Sequence, residues 1–209
     1  GAPPPARRRA SRGTSGGPPG AAASAASRRL ADGFASAVRC DFDEDLCGWE
    51  ATEPPDHEGQ TAKGAWYRYV GPTVTTQTGP KEADDASDAA DPYAYIHPGN
   101  PAPYTAFLTS PAFEPADGGE ELAFAYHAYG DRIGSLDVEA LVGGTWVSTW
   151  RVEHDQGGSW HDAAAPVPAG ATRVRFVGFT NSALGDIAVD AVRAAGETGG
   201  VAPGGGCLL

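Results

Sequence analysis

Two stretches decide the fold: Thr172-Arg173-Val174-Arg175-Phe176-Val177-Gly178-Phe179 and Asp186-Ile187-Ala188-Val189-Asp190-Ala191-Val192. In both, apolar side chains recur at every second position with polar or small residues between them, the pattern of a half-buried antiparallel strand. Leu122-Ala123-Phe124-Ala125-Tyr126 and Ser135-Leu136-Asp137-Val138-Glu139-Ala140-Leu141 repeat it, with Gly, Pro, Asp and Asn at the breaks. Gly143-Gly144 separates Leu141-Val142 from Thr145-Trp146-Val147, which predicts a hairpin. Apolar residues nowhere recur at i, i+3, i+4 and i+7 over three turns. Strands this short must cover their apolar faces with a second sheet, so the fold class is all-β, an antiparallel β-sandwich.

The 41% apolar share is enough for a core but is unevenly spread. From Gly1 to Arg39 the chain is mainly Ala, Gly, Pro, Ser and Arg, and its only large apolar residues are Leu30, Phe34 and Val38. So little burial does not offset the entropy of folding, and 1–39 is predicted to be disordered. The Gly-rich stretch 196–209 is predicted to be a second disordered tail, which leaves 40–195 as the folded domain. Cys207 stands third from the end, where prenylation requires the fourth position.

Charge divides at the same boundary. Seven of the 15 Lys and Arg precede Cys40 against one acid, Asp32, leaving eight basic and 26 acidic residues beyond it, a formal net of −18. A domain so charged repels phosphate backbones, which excludes nucleic acid as its expected partner. The basic arm (Arg7, Arg8, Arg9, Arg12, Arg28, Arg29) reads as a solvated linker, with contact to an anionic surface or a targeting remnant as alternatives. No stretch approaches the ~20 apolar residues of a membrane-spanning helix, and the chain has no Met. The expectation is a segment of a larger precursor whose secretion signal and any membrane anchor lie outside it.

Cys40-Asp41-Phe42-Asp43-Glu44-Asp45-Leu46-Cys47-Gly48-Trp49 resembles the opening of MAM domains. Further matches follow in family order: Trp66 and Arg68, Thr78-Gly79-Pro80, Tyr93-Ala94-Tyr95-Ile96, Leu108-Thr109-Ser110-Pro111, Tyr126-His127-Ala128-Tyr129-Gly130 and Gly185-Asp186-Ile187-Ala188-Val189-Asp190. The resemblance implies a jelly-roll sandwich of the kind carried by receptor phosphatases, neuropilins and meprin-type proteases, where it serves adhesion or oligomer formation. Two departures stand out. Glu121 occupies the place of the family's third cysteine, so a second bridge is missing and Cys207 has no evident partner; Ala191 replaces a second Asp. Cys40 and Cys47 are expected to close a disulfide ring worth about 2.5 kcal/mol in an oxidising compartment.

Jelly rolls bring first and last strands close together, so Asp43 and Asp190, with a loop acid such as Asp84, are candidates for one structural calcium ion. The alternative is that these acids are solvated or cap the backbone. His57, His97, His127, His154 and His161 are scattered, with no catalytic frame around them. Trp49, Trp66 and Trp160 are expected in the core. Trp146 and Trp150 are four apart, which puts them on one strand face and makes one of them a candidate interaction residue. The expected function is a non-enzymatic extracellular adhesion module that requires no cofactor. It would act at the cell surface through other proteins or self-association and reach the membrane only through segments outside this chain. The alternative is a carbohydrate-binding module appended to an extracellular enzyme.

Overall fold

The computed structural model describes residue 1 and residues 33–52, 65–82, 84, 90–96 and 103–197. The disorder expected of 2–32 and of 198–209 lies outside the described residues. A short helix, α1, spans 33–38. Ten strands follow: β1 (Glu50–Thr52), β2 (Trp66–Val70), β3 (Pro92–Ile96), β4 (Tyr104–Thr109), β5 (Glu120–Ala128), β6 (Ile133–Val142), β7 (Thr145–Glu153), β8 (His161–Val167), β9 (Ala171–Thr180) and β10 (Ile187–Ala194). They form two five-stranded sheets, ordered β1-β4-β9-β6-β7 and β2-β3-β10-β5-β8, in which every pairing is antiparallel. The expected sandwich is what these residues build, and the chain passes repeatedly from one sheet to the other as a jelly roll does.

The period-two pattern explains the packing. Along β9, Val174, Phe176, Gly178 and Thr180 are buried while Arg173, Arg175, Val177 and Phe179 alternate with them. Phe176 is central to the core: Trp49 stacks on it at 5.6 Å, Phe124 meets it edge-on at 5.0 Å and Trp66 lies 6.3 Å away. Gly178 lets the facing sheet pack close to its backbone: a Cβ there would sit 2.0 Å from Ile96 Cδ1. The β6–β7 hairpin turns on Gly143 and Gly144, whose φ angles of 58° and 84° give the primed turn that fits strand twist.

The folded domain begins before the expected boundary at Cys40. Phe34 and Val38 are four apart, so a helix places them on one face, and both are buried in the core cluster. Phe34 meets Phe113 edge-on at 5.2 Å. Cys40 then exchanges two backbone hydrogen bonds with Val192 at 2.8 Å, which ties the entry of the domain to its last strand. Composition alone missed this because two well-spaced side chains suffice to dock one helical turn on a core that the strands supply.

Candidate functional site

Within β10, Ile187, Val189 and Val192 face the core, whereas Ala188 joins an aromatic cluster on the opposite face of the sheet. Asp190 follows Ala188 by two and shares that outer face. A bulge lies between Asp190 and Arg193, and Ala191 within it has φ 49°, a left-handed value that non-glycine residues seldom adopt. The Ala191 N–H donates to Asp190 Oδ1 at 2.7 Å. Asp190 Oδ2 is buried and meets no donor among the described residues.

What faces Asp190 is acidic. Asp84, from the loop after β2, and Asp91, immediately before β3, each bring a carboxylate oxygen so that the ligand atoms of all three lie within 4.8 Å of one another. Burial raises the Asp190 pKa to about 9, and the Asp84 and Asp91 carboxylates push the same way, while the Ala191 N–H opposes them. Such a site needs a proton or a cation. Hard oxygen donors with one orphaned, buried oxygen suit calcium, which takes six to eight oxygens and accepts backbone carbonyls and water for the remainder. The residues therefore fit the ion.

Asp43 is not in this cluster. It is exposed, and its backbone carbonyl accepts from Arg68 Nη2 while the Phe42 carbonyl accepts from Arg68 Nε at 2.6 Å, so the segment runs toward β2. Asp91 stands in its place because β3, and not the first segment, is the hydrogen-bonded neighbour of β10 beside Asp190. The sequence signal for Asp91 was its position at the end of an acidic run directly before an aromatic strand.

The loop that delivers Asp84 is fixed to the outer face. Tyr69, Tyr93, Tyr95 and Trp160 pack there, Tyr93 Oη donates to the Gly71 carbonyl, and Trp160 Nε1 donates to the Glu82 carbonyl at 3.0 Å. Trp160 thus anchors a loop outside the sandwich and does not enter the core as expected, unlike Trp49 and Trp66. Thr78 is a second anchor: its Oγ1 donates to the Tyr129 carbonyl at 2.7 Å and accepts the Asp186 N–H at 2.8 Å. His127, buried beside Trp160, is held neutral by desolvation, which lowers its pKa to about 4.

Trp146 and Trp150 lie on opposite faces of β7. A register shift between Val138 and Glu139 inserts one residue between them, which reverses the parity of the strand. Trp150 packs inward, edge-on to Phe124 at 5.2 Å and Tyr126 at 5.3 Å. Trp146 lies outside, where the Arg175 guanidinium sits 4.1 Å from its ring and 4.1 Å from that of Phe107. Glu139 holds Arg175 there, accepting from Nε at 2.7 Å. Arg175 is thereby committed to neighbours on its own sheet.

Cys40 and Cys47 are bonded, with Cα atoms 5.6 Å apart. At the place of the missing second bridge, the Glu121 carbonyl accepts the Ala195 N–H at 2.8 Å.

The sequence profile of the family described as MAM domain, meprin/A5/mu matches residues 40–198, the whole run of strands. The MAM domain-containing glycosylphosphatidylinositol anchor protein 1 of Rattus norvegicus is 31% identical over 161 residues, covering 73% of this chain and 16% of that protein. Neuropilin-1a of Danio rerio is 26% identical over 166 residues, covering 74% and 17%. The chain therefore spans about a sixth of the length of these relatives. Among solved structures, the K3 cleaved adhesin domain of Lys-gingipain from Porphyromonas gingivalis superposes with a TM-score of 0.52 at 16% identity, covering 76% of this chain and 96% of that one, a likeness of fold. With the two-sheet architecture, the ring at its entry and a profile match over all ten strands, this chain belongs to the MAM domain family.

Proposed function

We propose that the chain is a non-catalytic adhesion or protein-interaction module of a larger membrane-anchored or secreted protein. The observation that carries this reading is the match of residues 40–198 to the MAM profile, because it spans the whole sandwich and not one motif of it. The Cys40–Cys47 bridge fits an oxidising compartment. A relative named for a glycosylphosphatidylinositol anchor fits the cell surface. The domain works outside the cell, and attachment to a membrane comes from segments beyond this chain. Its partners are other proteins or further copies of itself. Asp84, Asp91 and Asp190 hold a calcium ion whose role is structural: the ion neutralises the buried carboxylates and ties the loop before β3 to β10.

Beads carrying the full chain, mixed with cells, test the reading. Adhesion that protease treatment of the cells removes and enzymatic deglycosylation leaves intact is the expected result. Adhesion that follows the glycans, and that free sugars inhibit, would replace the protein-binding role with carbohydrate recognition.

A further inference from the structure

β2 is the outermost strand of its sheet: β3 pairs with one edge, and no strand among the described residues pairs with the other. Such an edge presents a row of backbone N–H and C=O groups at strand spacing, which another extended chain satisfies most completely. Three of the four large apolar side chains exposed among the described residues stand on β2 or in the turn after it: Tyr67 at 49%, Val70 at 43% and Val74 at 71%. Free edges are commonly guarded by an outward charge. Here the charged residue is Arg68, and its guanidinium is turned back onto the Phe42 and Asp43 carbonyls. From Ala65 to Pro80 there is no acid, although the chain beyond Cys40 carries a formal net of −18. β2 and the turn after it therefore set no carboxylate of their own against a second β2.

We infer that the free edge of β2 is a self-association surface, on which a second copy of this chain adds its own β2 antiparallel to the first. The inference rests on the adhesion reading above and gives it a surface and a partner. Antiparallel pairing of a strand with itself is isologous, so one edge serves both copies. A two-fold centred on Tyr69 sets Arg68 against Val70 and Tyr67 against Gly71, which keeps the two Arg68 side chains from facing each other. A five-residue strand makes few such bonds. The contact is therefore weak between single copies and gains strength when many are displayed on one surface.

Sedimentation velocity of the full chain over a wide concentration range, with calcium in excess, tests this. The expected result is a weight-average mass that rises with concentration in the wild type. Tyr67→Lys and Val70→Lys each move the midpoint upward by about tenfold or more. Val147→Lys, at an exposed position on the edge of the other sheet, leaves the midpoint where it was. Circular dichroism establishes that each variant keeps the wild-type fold, and Val74→Lys in the turn replaces any that does not. A wild type that stays monomeric throughout overturns the inference but leaves adhesion to other proteins standing, since the bead assay reads that separately. Association that survives the β2 variants, or that Val147→Lys weakens equally, overturns it as well.

Discussion

Phe34→Ala tests whether the domain truly begins at α1. Phe34 is 1% exposed, belongs to the main core cluster and meets the Phe113 ring edge-on at 5.2 Å. Truncating a buried Phe to Ala typically costs about 3–5 kcal/mol, to which an aromatic edge contact contributes about 1 kcal/mol. The lower end applies here, because α1 is a single short element at the margin and can peel away when its anchor is lost. The loss is therefore capped by the free energy that docks α1, about 3 kcal/mol by this reckoning. For a domain of this size that lowers Tm by about 6–12 °C. Calorimetry of the calcium-saturated full chain reads the shift, and hydrogen exchange locates it. Amides of 37–40, and that of Val192, which pairs with Cys40, should lose protection while the β6 and β9 amides keep theirs. A Tm within about 2 °C of wild type, with unchanged exchange at 37–40, would mean that the helix does not belong to the folded unit.

Calcium at about a hundred times its dissociation constant should stabilise the wild type by about 2.7 kcal/mol, and Asp190→Asn should remove that effect; a wild-type Tm indifferent to calcium and chelator dismisses the ion. In ion-free protein the raised Asp190 pKa means that stability falls as pH rises toward about 9, so Asp190→Asn melts higher than wild type near pH 8 when chelator is present. His127 titrates the other way. Its folded pKa of about 4 lies below the unfolded value, so its contribution is complete above pH 6.5 and declines as pH falls toward 4, by at most about 3 kcal/mol. His127→Gln should show a correspondingly smaller loss over that range in parallel urea titrations, and an unchanged loss refutes the assignment. Reducing Cys40–Cys47 should lower stability by about 2.5 kcal/mol, and unreduced peptide maps should show the two linked; quantitative maleimide labelling of both thiols in the native chain contradicts the ring. Gly178→Ala should cost about 1–3 kcal/mol in chemical denaturation, since its methyl would collide with Ile96, and a neutral effect would show that the two sheets have room to part there.

How much of this was legible beforehand depended on whether a feature keeps strict alternation. The strands of β9 and β10, the Gly143-Gly144 hairpin and the two-sheet core follow from period-two patterns and turn chemistry, which are local, and the structure has them where the residues place them. Trp146 and Trp150 show why the rest was not legible. Spaced by four they belong on one face of an ideal strand, yet one inserted residue opposite Val138 and Glu139 reverses the parity and sends one ring to the core and the other onto Arg175. A bulge leaves composition and spacing untouched and appears only in the register with the partner strand. The same reason hid the acidic site. Which carboxylates meet Asp190 is fixed by β3 being its neighbour and by the bulge at Ala191, neither of which has a local signature. Chain order points to Asp43, but Cys40 pairs with Val192, two residues past Asp190 and within the bulge, and the segment then bends toward Arg68. The strained Ala191 and the buried, like-charged Asp190 thus occur together. A cation bound by the three carboxylates would offset their repulsion, and in its absence burial and the neighbouring acids favour a proton on Asp190.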